Sequence, residues 1–168
     1  VTPTYLFGPC ATGVYTIPAA YSNVKAVYTN TAPVDAYRGA GRPEATYTIE
    51  RLVEKAAMEL GIDKTEIRMK NFPSEFPFKQ TLVHTVDSGD YVAGLEKAKQ
   101  MADYSGFDAR RKKSEANGKL RGIGVSSYFE ACGIAPSAAV MSLGCGVGLW
   151  ESAEVRFNPT GQISVFTG

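Results

Sequence analysis

The chain has 168 residues, 44% of them hydrophobic and 21% charged, with a formal net charge of +1, the profile of a globular domain with a real core. The near-neutral balance gives no reason to expect a nucleic acid or an anionic membrane surface as partner. No apolar run is long enough to span a bilayer, and the N-terminus lacks a basic-then-apolar secretory pattern.

In chain order, the stretch to Pro18 is rich in Gly, Pro and Thr and reads as loop with a short strand at most. Asn23 to Thr29 alternates polar and apolar residues and is predicted as a strand, followed by a connecting loop from Thr31 to Arg42. At Pro43 the period changes. Ala45, Ile49, Leu52, Val53, Ala56, Ala57 and Leu60 fall on one stripe of a helix over Pro43–Leu60. Gly61 stands where a left-handed C-terminal cap is needed. Asp63 and Glu66 have the spacing of a capping box and start a short helix towards Lys70. Phe72 to Phe78 carries two prolines among three phenylalanines and reads as an extended segment pinned by aromatic contacts. A third helix is expected from Asp90 as N-cap, with Val92, Leu95, Ala98, Met101 and Ala102 facing the core. A further short helix over Gly106–Gly118 bears the basic run Arg110 to Lys113, read as a solvated face.

The last third is strand-like. Leu120 to Cys132 is small, apolar and β-branched at both parities, as expected of a strand buried on both faces. Gly148–Phe157 and Gln162–Phe166, joined by Asn158-Pro159-Thr160-Gly161, predict a hairpin. Strands, then helices, then strands give an α+β class, with a two-layer arrangement of a mixed sheet and helices packed on one side.

Cys10, Cys132 and Cys145 are odd in number and lack CxxC spacing, which argues for a reducing compartment and against a disulfide framework or a zinc site. The single histidine, His84, has no Cys or His partner nearby in sequence and reads as structural. No phosphate-binding P-loop or G-x-S-x-G elbow is present. The run Gly144 to Gly148 lacks the third glycine of a dinucleotide loop. Glu130, Glu151 and Glu154 are candidate buried carboxylates without visible partners, and each reads first as a satisfied or exposed glutamate.

The most informative stretch is Ala36-Tyr37-Arg38-Gly39-Ala40-Gly41-Arg42-Pro43-Glu44. Two glycines permit backbone conformations closed to other residues, Pro43 suits a first helical position, and Glu44 complements the helix dipole. Free N–H groups at a helix start flanked by two arginines suit an anion; a capped helix with solvated arginines is the plainer alternative.

This stretch, together with Tyr15-Thr16-Ile17-Pro18, Val27 to Pro33, Gly122-Ile123-Gly124, Tyr128 to Gly133 and Gly148 to Val155, resembles the large, molybdenum-binding subunit of the xanthine dehydrogenase and aldehyde oxidase family. The resemblance runs over the whole chain, and AYRGAGR is the pattern of its form II carbon monoxide dehydrogenase-like large chains. True carbon monoxide dehydrogenases resemble AYRCSFR there, with a cysteine that bridges molybdenum to copper; Gly39 has no thiolate to offer a soft metal. The resemblance therefore implies a molybdenum hydroxylase without copper, which places water-derived oxygen on an electron-poor carbon of an aldehyde, N-heterocycle or similar small molecule. The implied cofactor is molybdopterin cytosine dinucleotide, with iron–sulfur clusters and FAD on partner subunits taking the electrons.

By the same resemblance, Tyr37, Arg38, Gly39, Ala40, Gly41 and Arg42 lie against the cofactor, and Ala40, Ser126, Ser127 and Tyr128 border the substrate. The bulky aromatic of xanthine-oxidising relatives is absent at Ala40, which implies a differently shaped pocket. The general-base glutamate is expected beyond Gly168, so no catalytic or metal-ligating residue is assigned within the chain. Residues 1–168 are then expected to be a single segment of a cofactor-binding domain in a larger cytoplasmic subunit, partnered by the rest of that subunit, an iron–sulfur subunit and a flavin subunit. On its own the segment is expected to hold no cofactor and not to turn over. The competing expectation is a free-standing α+β module that binds an anion at Gly39–Glu44 and has no redox chemistry.

Overall fold

Helix α2, Arg42–Leu60, organises residues 1–130. Pro43 occupies its first turn with Glu44, and Gly61 closes it in the left-handed region (φ 64°), donating its N–H to the Ala57 and Met58 carbonyls. The computed structural model describes residues 2–130, 137–142 and 152–167. It divides into two units, 1–130 and 131–168.

In the first unit, α1 (Thr2–Phe7) packs on α2, and α3 (Lys64–Lys70) packs on α2 and on α4 (Tyr91–Met101). Asp63 caps α3 as its spacing predicts, accepting from the Thr65 N–H at 2.8 Å and the Glu66 N–H at 3.2 Å. Asp90 caps α4 by accepting from the Ala93 N–H at 2.8 Å. A 3-10 turn over Tyr104–Gly106 leads into α5 (Phe107–Ala116), whose run Arg111 to Lys113 is exposed, as expected. Arg110 is half-buried and turns back onto Asp103. Strands β1 (Phe78–Lys79) and β2 (Thr85–Val86) form a minimal antiparallel pair.

The core is small: Val14, Tyr15, Phe72 and Leu95, ringed by Ile17, Ile49, Val53, Met69, Tyr91, Val125 and Phe129. The segment after α3 is pinned by aromatics as expected. Phe72 stacks on Tyr15 (centroids 5.8 Å apart) and meets Tyr91 at 5.6 Å, while Phe76 meets Tyr91 at 6.1 Å. Each such pair adds about 1 kcal/mol beyond the area buried.

In the second unit, α6 spans Ser137–Ser142, and β3 (Ala153–Phe157) pairs antiparallel with β4 (Ile163–Thr167). The hairpin closes over Asn158–Gly161 with Val155 opposite Val165. Glu154 is exposed and paired with Arg156 at 2.8 Å.

The α+β class stands, but the described residues carry two separate antiparallel pairs in place of one mixed sheet. Asn23–Thr29 has the alternation of a strand yet runs exposed and without a ladder, because neither neighbouring segment supplies a paired edge. Residues 120–130 are also extended and outside any ladder. Burial alternates along 123–130, with Ile123, Val125, Ser127 and Phe129 half-buried, so one face is covered and not two. The opening residues form a helix where loop was expected. On α4 only Leu95 is buried; Val92, Ala98, Met101 and Ala102 are exposed, since the covered face is the narrow line through Tyr91, Leu95 and Lys99. On α2, Ala45 and Ala57 are buried while Leu52 and Leu60 are exposed. The run 144–148, Cys132, Cys145 and Glu151 lie outside the described residues.

Candidate functional site

The loop before α2 takes its shape from three consecutive residues with positive φ: Gly39 at 97°, Ala40 at 40° and Gly41 at 106°. Two turn bonds hold it, from the Ala40 N–H to the Tyr37 carbonyl (2.7 Å) and from the Arg42 N–H to the Gly39 carbonyl (3.0 Å). Both glycines are required. A Cβ on Gly41 would stand 2.2 Å from the Pro3 carbonyl oxygen of α1, and one on Gly39 would stand 2.7 Å from the Pro43 ring. Ala40 sits in the left-handed region without that freedom, at about 1–2 kcal/mol.

Tyr37 and Arg38 are exposed, Gly39, Ala40 and Arg42 half-buried, and Gly41 buried. Arg42 turns inward. Its Nε lies 2.7 Å from Glu130 Oε2, an ion contact in which the N–H is not aimed along the line, and its guanidinium carbon sits 5.1 Å from the Tyr128 ring centroid. The structure thus joins the glycine loop to the 126–130 segment, two stretches separated by over eighty residues in sequence. Ser126 and Ser127 precede Tyr128 on that segment, Ser126 exposed and Ser127 half-buried.

Beneath this contact lies a second pair. Cys10, buried in the turn after α1, places Sγ 3.4 Å from His84 Nε2, and the His84 ring meets Phe129 edge-on at 5.6 Å. Burial pushes the Cys10 thiol up to about 11, with Arg42 pulling down and Glu130 pushing up. Desolvation lowers His84 below its ordinary value. Both groups are therefore neutral near pH 7, and the pair is a structural contact. This agrees with the structural reading of His84 and adds the cysteine partner that sequence distance concealed.

A third cluster, not expected from the sequence, anchors the 120–130 segment. Arg68 is fully buried. It donates from Nε to Glu50 at 2.9 Å, contacts Glu54 at 3.3 Å, and donates to the Val125 carbonyl at 3.0 Å. Lys64 bridges Glu54 (3.2 Å) and the Ile123 carbonyl (2.9 Å). Tyr15 donates its hydroxyl to Glu50, and burial with that contact raises the phenol strongly. Glu50 occupies the inward face of α2 amid the apolar stripe, the one signal that could have betrayed it.

Among the described residues no group of three or more His, Cys, Asp or Glu side chains could hold a metal ion, and no helix is long and apolar enough to cross a membrane. A cleft of about 520 Å³ is lined by Thr4, Tyr5 and Val24 with Leu82 and Val83, and not by the 37–42 loop.

What the loop offers is backbone. α2 starts with no side-chain cap; its Arg42 N–H is bonded to the Gly39 carbonyl and Pro43 has none, so the first-turn donor left for an external acceptor is the Glu44 N–H, and no side chain larger than a methyl stands at 39–41. That single donor, with the exposed Arg38 guanidinium on the same loop, suits an anionic, oxygen-rich group.

Two molybdopterin cofactor-binding domain models match the chain, over residues 2–72 and 97–168. The chain belongs to the molybdopterin-binding large-chain family of the xanthine dehydrogenase type. It is 42% identical over 167 residues to the carbon monoxide dehydrogenase large chain of Hydrogenophaga pseudoflava, covering 95% of this chain and 20% of that one. Among solved structures it matches quinoline 2-oxidoreductase from Pseudomonas putida 86 with a TM-score of 0.84 and 33% identity, over 98% of this chain and 21% of that one. A Cu,Mo-CO dehydrogenase in its carbon monoxide reduced state matches with a TM-score of 0.79 and 36% identity, over 96% and 21%. The chain thus spans about a fifth of the length of the relatives it matches.

Proposed function

We propose that the chain is part of the large subunit of a molybdenum hydroxylase and that residues 36–44 form its active-site loop. Bound there, molybdopterin cytosine dinucleotide would supply the oxygen-transfer and redox chemistry, with electrons passing to iron–sulfur and flavin subunits. The residues of this chain bind and shape. The glycine-loop backbone and the Glu44 N–H face the cofactor's oxygens, exposed Tyr37 and Arg38 border it, and Ala40 leaves the substrate side open. Tyr128, with Ser126 and Ser127, forms the adjoining wall. An aldehyde or N-heterocycle is the proposed substrate class, and Gly39, which offers no thiolate, favours a copper-free centre. The free thiol of Cys10 suits the cytoplasm.

One observation carries this reading. The glycine loop with its three positive φ values is joined through Arg42 to Tyr128, so the cofactor and substrate candidates meet in one place. In the intact enzyme, Gly39→Val should abolish oxidation of aldehydes and N-heterocycles with little change in helix content, since its branched side chain would collide with Pro43. Wild-type turnover in that variant would show that the loop does not serve the reaction.

A further inference from the structure

We infer that Arg42 is a positioning residue which latches the 39–41 loop through Glu130 and Tyr128, and does not itself contact the cofactor. The inference deepens the proposed role of the loop and rests on it. Three adjacent positive φ values, one on an alanine, make a conformation that isolated chain would rarely hold. Something outside the loop must fix it. On the N-terminal side the two turn bonds are local. The α1 backbone packs against Gly41, and the distant anchor made by a side chain is Arg42, the residue directly after it.

The Arg42 side chain is only 15% exposed, and its charge is already committed. Glu130 neutralises it at 2.7 Å and the Tyr128 ring covers the guanidinium at 5.1 Å. A guanidinium held this way is poorly placed to serve an external anion, whereas Arg38, four residues earlier, is exposed. The anchor is itself held. Glu130 ends a segment whose carbonyls at 123 and 125 are gripped by Lys64 and Arg68 of α3. Contacts therefore run without a break from the buried Glu50–Arg68 pair to the loop.

The test is hydrogen exchange on the full-length subunit in its assembled enzyme, read at the Ala40 and Arg42 amides, the donors of the two turn bonds. Arg42→Ala and Glu130→Gln should each speed exchange there about tenfold while Ala45–Leu60 stays as protected as in the wild type. The charge-reversed pair, Arg42→Glu with Glu130→Arg, should slow it again relative to either single variant. Unchanged exchange in both single variants would overturn the latch. So would fast exchange in Arg42→Ala beside wild-type exchange in Glu130→Gln, because Arg42 would then act on something other than Glu130. Should Arg42→Ala lose the protection of α2 as well, Glu130→Gln, at a half-exposed carboxylate, decides the matter. Molybdenum and pterin content of the same wild-type preparation is read separately: their absence would defeat the proposed function and leave the latch to the exchange data.

Discussion

Cys10 and His84 show how two ordinary side chains acquire a pH window by being buried together. The thiol is raised from 9.0 to about 11, first by desolvation, so the folded state favours its protonated form. Its contribution is complete below pH 9 and is lost as pH climbs towards 11, an effect of about 2–3 kcal/mol. His84 is shifted the other way by desolvation. The folded state favours neutral imidazole, and its contribution is lost as pH falls below 6.5. Stability measured by urea titration should accordingly be flat between these limits as far as this pair is concerned. Cys10→Ala should flatten the alkaline fall, and an unaltered alkaline fall would locate it elsewhere. The Glu50–Arg68 pair is buried too, but as charged groups. Glu50→Gln leaves the buried Arg68 guanidinium with Glu54 as its one carboxylate and should cost about 1.5–3 kcal/mol, read as a drop in the urea midpoint.

The helix ends are where local chemistry decided structure. Gly61, Asp63 and Asp90 each cap as their residue types require, because a cap depends on neighbours within four positions. Asp63 does more than cap. Its second oxygen accepts from the Tyr104 hydroxyl at 2.9 Å, tying α3 to the 3-10 turn and, with burial, raising that phenol to about 12. Asp63→Ala should therefore cost about 1–2 kcal/mol in thermal unfolding, more than Asp90→Ala, whose cap makes a single bond. The strands were less legible. Asn23–Thr29 and Leu120–Cys132 both have strand composition, yet a ladder needs a partner edge that no local pattern specifies. Likewise the glycine loop was readable from its spacing, while its tie to Tyr128 and Glu130 was not, since nothing near Arg42 in sequence announces a partner more than eighty residues away. Glu130 was visible as a lone carboxylate in an apolar run; its cation was not.

For the molecule as a whole, coverage decides what the chain can do alone. It spans about a fifth of its relatives' length, and a large buried cofactor needs most of its surface enclosed. Purified by itself, the 168-residue chain should bind neither molybdenum nor pterin and at most hold a sulfate or phosphate near Gly39–Glu44; elemental mass spectrometry giving one molybdenum per chain would refute this. Its surface carries a matching sign. Leu52, Met58 and Leu60 of α2 are 58%, 78% and 65% exposed, and a cavity of about 250 Å³ opens between Leu52, Val53, Ala56 and Ile67. Such a patch should bind an apolar fluorescent dye, and Leu52→Lys with Leu60→Lys should weaken that signal without lowering stability.

The grip of α3 on residues 123 and 125 falls on carbonyl oxygens, and every amino acid brings one. Anchorage of this kind is blind to side-chain identity. The exposed positions of the segment leading to Tyr128, such as 124 and 126, can change their side chains over evolutionary time while the segment keeps its course, so long as Lys64 and Arg68 persist. Under the proposed function, a wall built this way would let one scaffold be re-lined for new small molecules without being rebuilt.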